Sequence, residues 1–148
     1  SLSSGPFLSG SAIAKFARRL VERFKIAVPT VQTPVRLLSG GNLQKTLLAR
    51  EISINPRLMV AMHPTRGLDI GATEAVQKLL LEQRKEGAAL LLISEDLDEI
   101  LKISDRILVL YEGEVQGIVP AKNADIEAVG LMMAGVKPAE AQAERRPA

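Results

Sequence analysis

The sequence predicts an α/β fold, in which a mostly parallel sheet is flanked by helices. Three short apolar runs, at 58–62, 88–93 and 107–110, have the length of strands and lack the alternation of half-exposed ones. Such runs are typical of parallel strands that are buried on both faces. Helical patterns lie between the runs, as the crossover connections between parallel strands require.

Apolar residues recur at helical spacing before the first run and between the others. We expect helices at 11–24, 39–55, 71–86, from Ser94 onward and at about 125–133. Residues 111–114 are typical of a hairpin turn, which predicts a further strand at 115–119. We therefore divide the chain into four parts: a loose start at 1–10, a helical part at 11–55, an α/β part at 56–136 and a disordered tail at 137–148.

The composition excludes several classes of function. The 148 residues carry a net charge of +2 that is spread along the chain, so we expect no nucleic-acid partner. No cysteine is present, which excludes disulfides and thiolate metal sites. No apolar run approaches the roughly 18 residues needed to cross a bilayer. We expect a soluble chain, with docking on a membrane partner left open.

Ser39, Gly40 and Gly41 open the second predicted helix and are the strongest candidate binding residues. A serine hydroxyl, backbone N–H groups without neighbouring side chains and the positive end of a helix together favour a phosphate. The same residues also suit an ordinary serine cap with a glycine-rich start. On these residues alone, both interpretations stay open.

Other segments follow this motif in a known order. The sequence is most characteristic at five segments: Leu38–Lys45, Pro64–Ala72, Ile93–Ile100, Ser104–Ile107 and Tyr111–Gly113. It resembles the signature motif, D-loop and switch segment of ABC-transporter ATP-binding subunits, over about residues 6–136. The chain is most similar to the second nucleotide-binding domain of the tandem ATPases that serve simple-sugar and nucleoside importers.

This resemblance implies the C-terminal part of that domain, with a partial P-loop NTPase fold. Residues 11–55 would be part of the helical subdomain with the signature motif, and 56–136 the C-terminal part of the ATPase core. In this family, ATP lies between the Walker motifs of one domain and the signature motif of another. Ser39–Gly41 would therefore contact the γ-phosphate of an ATP held by a partner domain. Asn42 and Gln44 would support ribose or phosphate contacts, and Asp69 would lie in the D-loop at the seam.

The resemblance also implies partners and a location. The partners are the first nucleotide-binding domain, in the same or a partner chain, and transmembrane permease subunits. The location is the cytoplasmic face of the cell membrane. The cofactor of the full-length protein is ATP with Mg²⁺, and none is expected to be bound to this segment alone.

Three departures from the family pattern predict that this segment has no catalytic residue and no metal site. No Gly-x-x-x-x-Gly-Lys-Ser/Thr sequence occurs, so no loop cradles the β- and γ-phosphates. Met62 and His63 occupy the positions of the Walker B aspartate and glutamate, and a thioether does not suit Mg²⁺. Glu95 occupies the position of the switch histidine, where its carboxylate would repel a phosphate.

Two of these positions have a second interpretation. His63 has the chemistry of a base, although a degenerate position is the preferred interpretation. Glu95 forms an acidic cluster with Asp96, Asp98 and Glu99. This cluster suits a metal site or, as we prefer, favourable charge at a helix N-terminus.

The missing phosphate loop also implies a missing strand. In this family, the strand before that loop lies between the switch strand and the following strand, here 88–93 and 107–110. Without it, both neighbours have unpaired backbone groups at a buried position, which is costly. We expect the isolated chain to rearrange or to form a homo-oligomer.

Two other functions stay open. A non-transport ABC-type ATPase acting on DNA carries a similar signature, usually after long heptad arms, which the residues before Ser39 lack. A regulatory binding module on the same fold is the other alternative, because a fold alone does not fix a function. Such a module would have no need of Ser39 and its glycines.

Overall fold

The computed structural model describes residues 3–4 and 7–136, with side chains from residue 9 onward. The chain divides into two compact units, which meet in sequence between residues 91 and 92. The tail predicted at 137–148 lies outside the described residues, as does part of the start predicted at 1–10.

The first unit carries the helical part of the chain and the first two predicted strands. Its described elements are β1 (Ser3–Ser4), β2 (Phe7–Leu8), α1 (Gly10–Arg23), a 3-10 turn (Val35–Leu37), α2 (Gly40–Ile52), β3 (Leu58–Met62), α3 (Ile70–Lys85) and the first three residues of β4 (Ala89–Ile93), a strand that crosses the boundary in sequence. β1 and β2 pair in antiparallel orientation. β3 and β4 are hydrogen-bonded neighbours of a parallel pair, and α3 connects them. The helices and strands predicted for this region are confirmed, with small differences at their ends.

The second unit is built around a hairpin. Its elements are α4 (Leu97–Ile103), β5 (Arg106–Tyr111), β6 (Glu114–Pro120), a 3-10 turn (Ala121–Asn123) and α5 (Ile126–Met133). β5 and β6 are antiparallel. Glu112 and Gly113 join them with φ angles of 48° and 83°, the left-handed conformation that two-residue hairpin turns need. The predicted hairpin and final helix are confirmed.

The helix predicted from Ser94 begins later, at Leu97. Its N-cap is Asp96, whose carboxylate accepts a hydrogen bond from the amide of Glu99 at 3.1 Å. The hydroxyl of Ser94 accepts from the amide of Asp96 at 3.1 Å, which forms a local turn before the helix. Serine and aspartate are both good caps, so the sequence pattern did not distinguish them.

One face of β3 is open to solvent. Met59 is buried, whereas Leu58, Val60 and Met62 are 62%, 58% and 67% exposed. The prediction that this strand is buried on both faces is therefore wrong for the described chain. The apolar composition of β3 suits a strand packed between two layers of structure. In the described residues, only the face that carries Met59 is covered.

The open face continues onto β4. The amide of Ala89 donates to the carbonyl of Arg57 at 2.9 Å, which in a parallel ladder sets Ala89 beside Leu58. Side chains alternate along a strand, so Leu91 faces the same side as Ala89. Leu91 is also exposed. The pair β3–β4 thus presents a continuous apolar face, which we call the open sheet face (Leu58, Val60, Met62, Ala89 and Leu91).

The hairpin of the second unit is likewise covered on one side. Its buried cluster consists of Ile107, Val109, Ala121, Val129 and Met132. Leu108 and Leu110, which alternate with the buried residues of β5, are exposed. The expectation of burial on both faces is therefore wrong here too.

β4 and β5 belong to different ladders. The described strands form three two-stranded sheets, β1–β2, β3–β4 and β5–β6. Within the described residues, β4 and β5 therefore each have a single strand neighbour.

Candidate nucleotide-contact site

Ser39, Gly40 and Gly41 lie at the start of α2, on the surface of the first unit. Ser39 is the N-cap, with extended backbone angles of φ −64° and ψ 157°. Ser39 and Gly40 are exposed and Gly41 is half-buried. No acidic residue lies in the first turn of α2 to offset the positive end of the helix. The three predicted contact residues are therefore accessible to a ligand or a neighbouring domain.

The hydroxyl of Ser39 is not used to cap its helix. The N-caps of the other long helices, Ser9 and Asp69 among them, accept backbone N–H groups through their side chains. The Ser39 side chain accepts none. Its oxygen instead accepts a hydrogen bond from Nδ2 of Asn42 at 3.0 Å. The ordinary-cap interpretation therefore does not explain this serine.

The side chain of Asn42 connects Ser39 to the segment before α2. Its Oδ1 accepts from the amide of Ala27 at 2.8 Å, and its Nδ2 donates to Ser39. Asn42 is half-buried, as is Gln44 farther along α2. The predicted ribose or phosphate contacts of Asn42 and Gln44 stay predictions.

Gly41 allows α2 to approach α3 closely. A Cβ atom built on Gly41 would lie 2.8 Å from the Cβ of Ala72, closer than real side chains approach each other. At Gly40 the same atom would lie 3.5 Å from Cδ2 of Leu68, an ordinary contact. The two glycines therefore have different roles. Gly41 is needed for close packing of α2 against α3, whereas Gly40 leaves the backbone exposed at the surface.

Asp69, the predicted D-loop residue, is the N-cap of α3. Its Oδ1 accepts from the amide of Ala72 at 2.8 Å, and its side chain is exposed. Ala72 is also the residue that Gly41 faces. The first turns of α2 and α3 thus lie against each other, and the structure brings the predicted signature and D-loop residues together on one surface.

The positions predicted to be degenerate lie at different elements of the chain. Met62 ends β3 with its side chain exposed, and His63 follows with a left-handed φ of 45°. Glu95 is exposed ahead of α4. Among the described residues, no group of three or more histidine, aspartate or glutamate side chains is arranged to hold a metal ion.

Three residues of the acidic cluster, Asp96, Asp98 and Glu99, lie at the start of α4. Asp96 caps the amide of Glu99, and Asp98 and Glu99 lie in the first turn. Negative charge at this end is favourable because it opposes the positive end of the helix dipole. This contact supports the interpretation preferred from the sequence.

Two contributors to the site were missed in the sequence. Ala27 contributes a backbone amide, which no side-chain pattern marks. Ala72 contributes a small side chain against Gly41, and a small residue opposite a helix glycine is a signal for close packing that could have been used.

The chain is similar to import ATP-binding proteins over most of its length. It is 49% identical over 134 residues to the glucose import ATP-binding protein TsgD13 of Haloferax volcanii, with 89% of this chain and 24% of that protein covered. The nucleoside import ATP-binding protein NupA of Lactococcus lactis is 44% identical, with 90% and 26% covered. The guanosine import ATP-binding protein NupO of Bacillus subtilis is 46% identical, with 86% and 25% covered. The chain thus spans about a quarter of these relatives.

Solved structures show the same fold over about half of a cassette. The dimeric ATP-binding cassette MJ0796, in a post-hydrolysis state bound to ADP and Pi, aligns with a TM-score of 0.67 at 24% identity, covering 82% of this chain and 52% of that one. An inward-facing metal-chelate type ABC transporter aligns with a TM-score of 0.73 at 16% identity, covering 90% and 53%. No protein-family profile matches the chain. With these likenesses in sequence and fold, the chain belongs to the family of ABC-transporter ATP-binding proteins, as a segment with part of the P-loop NTPase fold.

Proposed function

We propose that this chain is the C-terminal part of the second nucleotide-binding domain of a tandem ATPase that energises import of sugars or nucleosides. In this proposal, Ser39, Gly40 and Gly41 approach the γ-phosphate of an ATP that a partner domain holds. Asn42 and Gln44 support that contact, and Asp69 lies at the seam between the domains. The named functions of the relatives support this assignment.

One observation carries the proposal for the site. Ser39 and Gly40 are exposed at a helix N-terminus, and the Ser39 hydroxyl makes no bond to its own helix backbone. Backbone amides, a hydroxyl and the helix dipole together suit the oxygens of a phosphate. The close approach of Gly41 to Ala72, whose amide Asp69 caps, supports the proposal that Asp69 lies near the same surface.

The proposed role is to complete a site, not to hydrolyse ATP alone. Met62 offers a thioether where Mg²⁺ needs oxygen, and Glu95 offers a negative charge where a phosphate would lie. The Mg²⁺ and the phosphate loop would come from the partner domain. The assembled protein would therefore have unequal ATP sites, and the hydrolytic one would use this signature motif.

The proposed partners are the first nucleotide-binding domain and transmembrane permease subunits. No helix in the described part of the chain has both the length and the apolar character that spanning a bilayer requires. In this proposal, contact with the membrane is made through the permease, at the cytoplasmic face. The relatives' names favour this importer over an ATPase acting on DNA or a regulatory module.

The test is Ser39→Arg in the complete ATPase that carries this segment. The long cationic side chain would block the phosphate approach, so we expect ATP hydrolysis to fall at least about tenfold, which is about 1.4 kcal/mol of activation free energy. Ser11→Arg is the matched control, because Ser11 is an exposed serine on α1. An unchanged rate for Ser39→Arg would reject the proposed role of the signature motif.

A further inference from the structure

The amide of Asn42 holds two hydrogen bonds whose directions are fixed by chemistry. The backbone N–H of Ala27 only donates, so the atom of Asn42 that lies 2.8 Å from it must be the acceptor Oδ1. The other amide atom, 3.0 Å from the Ser39 hydroxyl oxygen, is then the donor Nδ2. The hydroxyl of Ser39 is therefore an acceptor toward Asn42.

This polarity determines what Ser39 can offer to a ligand. A hydroxyl has one proton and two lone pairs, and Asn42 occupies a lone pair. The proton of Ser39 is not given to Asn42, since Nδ2 cannot accept it. Ser39 is exposed, so its proton remains available to an acceptor outside the chain. Phosphate oxygens are such acceptors.

We propose that Asn42 is a positioning residue, which keeps the Ser39 hydroxyl as a donor toward the nucleotide phosphate. This inference rests on the proposed function of Ser39. Asn42 does not itself touch the nucleotide in this role. Its second bond, to Ala27, holds the amide in the orientation that makes Nδ2 face the serine.

Asn42→Asp separates this role from a purely structural one. A carboxylate keeps the acceptor for the Ala27 amide, but it replaces the donor toward Ser39 with an acceptor. The serine proton then turns inward to the carboxylate and is lost to the phosphate. In the complete ATPase, we expect hydrolysis at neutral pH to fall at least about tenfold, the scale of a lost hydrogen bond to a charged group.

The pH profile of the Asp variant gives a readout that loss of packing would not produce. A protonated carboxyl has one donor and one acceptor, so it can replace the amide in both bonds. The ordinary pKa of aspartate is about 4, and a nearby phosphate raises it. The rate of Asn42→Asp relative to wild type should therefore rise as the pH falls below about 6. The relative rate of Asn42→Ala, which lacks a titrating group, should stay flat.

Two comparisons distinguish failure of this inference from failure of the proposed function. If Ser39→Ala leaves hydrolysis unchanged, the serine does not serve the nucleotide, and both fail. If Ser39→Ala slows hydrolysis but Asn42→Asp does not, only the positioning role is rejected. In the Ser39→Ala background, Asn42→Asp should cost less than it does alone, because only its charge then acts. An equal cost in both backgrounds would also overturn the inference.

Discussion

Gly41 belongs to the predicted binding motif and also lies where α2 packs closely against α3. The phosphate interpretation needs backbone without side chains at Gly40 and Gly41, whereas the structure shows that the missing side chain of Gly41 makes room for Ala72. Both requirements exclude a side chain at this position. Gly40, which is exposed and less crowded, is the better probe of ligand contact alone.

Gly41→Ala should destabilise the chain through its clash with Ala72. A Cβ–Cβ distance of 2.8 Å forces α2 and α3 apart, and overpacking of this kind costs about 1–3 kcal/mol of the free energy of unfolding. Chemical denaturation monitored by circular dichroism measures this change in the free energy of unfolding. Ala72→Gly in the same chain should restore most of the loss.

Gly40→Ala is the matched control. Its new methyl group would meet Leu68 at 3.5 Å, an ordinary contact, so stability should change little. Equal destabilisation by the two substitutions would show that crowding against Ala72 is not the reason for Gly41.

At the scale of elements, the strands show where sequence patterns succeed and where they stop. The positions of β3, β4 and β5 were predicted from their apolar runs, and the hairpin from its turn residues. The burial of these strands was not predicted correctly. An apolar run indicates that a strand suits contact with layers on both faces, whereas its exposure depends on whether those layers are present. Leu58 and Val60 are apolar and still exposed.

The open sheet face predicts that the isolated chain self-associates. Removing exposed apolar surface from water is favourable, and contiguous exposed apolar patches are rare on monomers. Light scattering after size exclusion should give a mass that rises with concentration above that of one 15.9 kDa chain.

Val60→Lys with Leu91→Lys should reduce this association, because both residues lie on the open sheet face. Ile54→Lys is the matched control, since Ile54 is exposed beyond the end of α2. A monomer at every concentration, with the strands in place, would contradict the expectation.

At the scale of the whole molecule, the order of motifs predicted the family, and the comparisons confirm it. The candidate site was predicted only in part. Ser39 and Asp69 could be named because motif and cap chemistry are local in sequence. The hydrogen bond between Asn42 and Ala27 joins residues 15 positions apart, and its donor is a backbone amide, so no residue type marks it in the sequence.

The residues of the whole segment also explain why we propose that it completes the ATP site of another domain. Ser39 and Gly40 at the start of α2 are exposed. Met62 offers a thioether, which does not suit Mg²⁺, and Glu95 carries a negative charge, which would repel a phosphate. If the proposed phosphate contact at Ser39–Gly41 holds, a segment with these residues is suited to complete another domain's site.

The most direct test of this account measures whether ATP covers Ser39 in the assembled ATPase. The segment has no cysteine, so Ser39→Cys introduces a single thiol there, and Ser11→Cys provides a control on α1. With ATP at about ten times its Kd and hydrolysis blocked, maleimide labelling at position 39 should slow about tenfold, and labelling at position 11 should not change. Equal labelling at position 39 with and without ATP would contradict the central claim that this serine meets a nucleotide held by a partner domain.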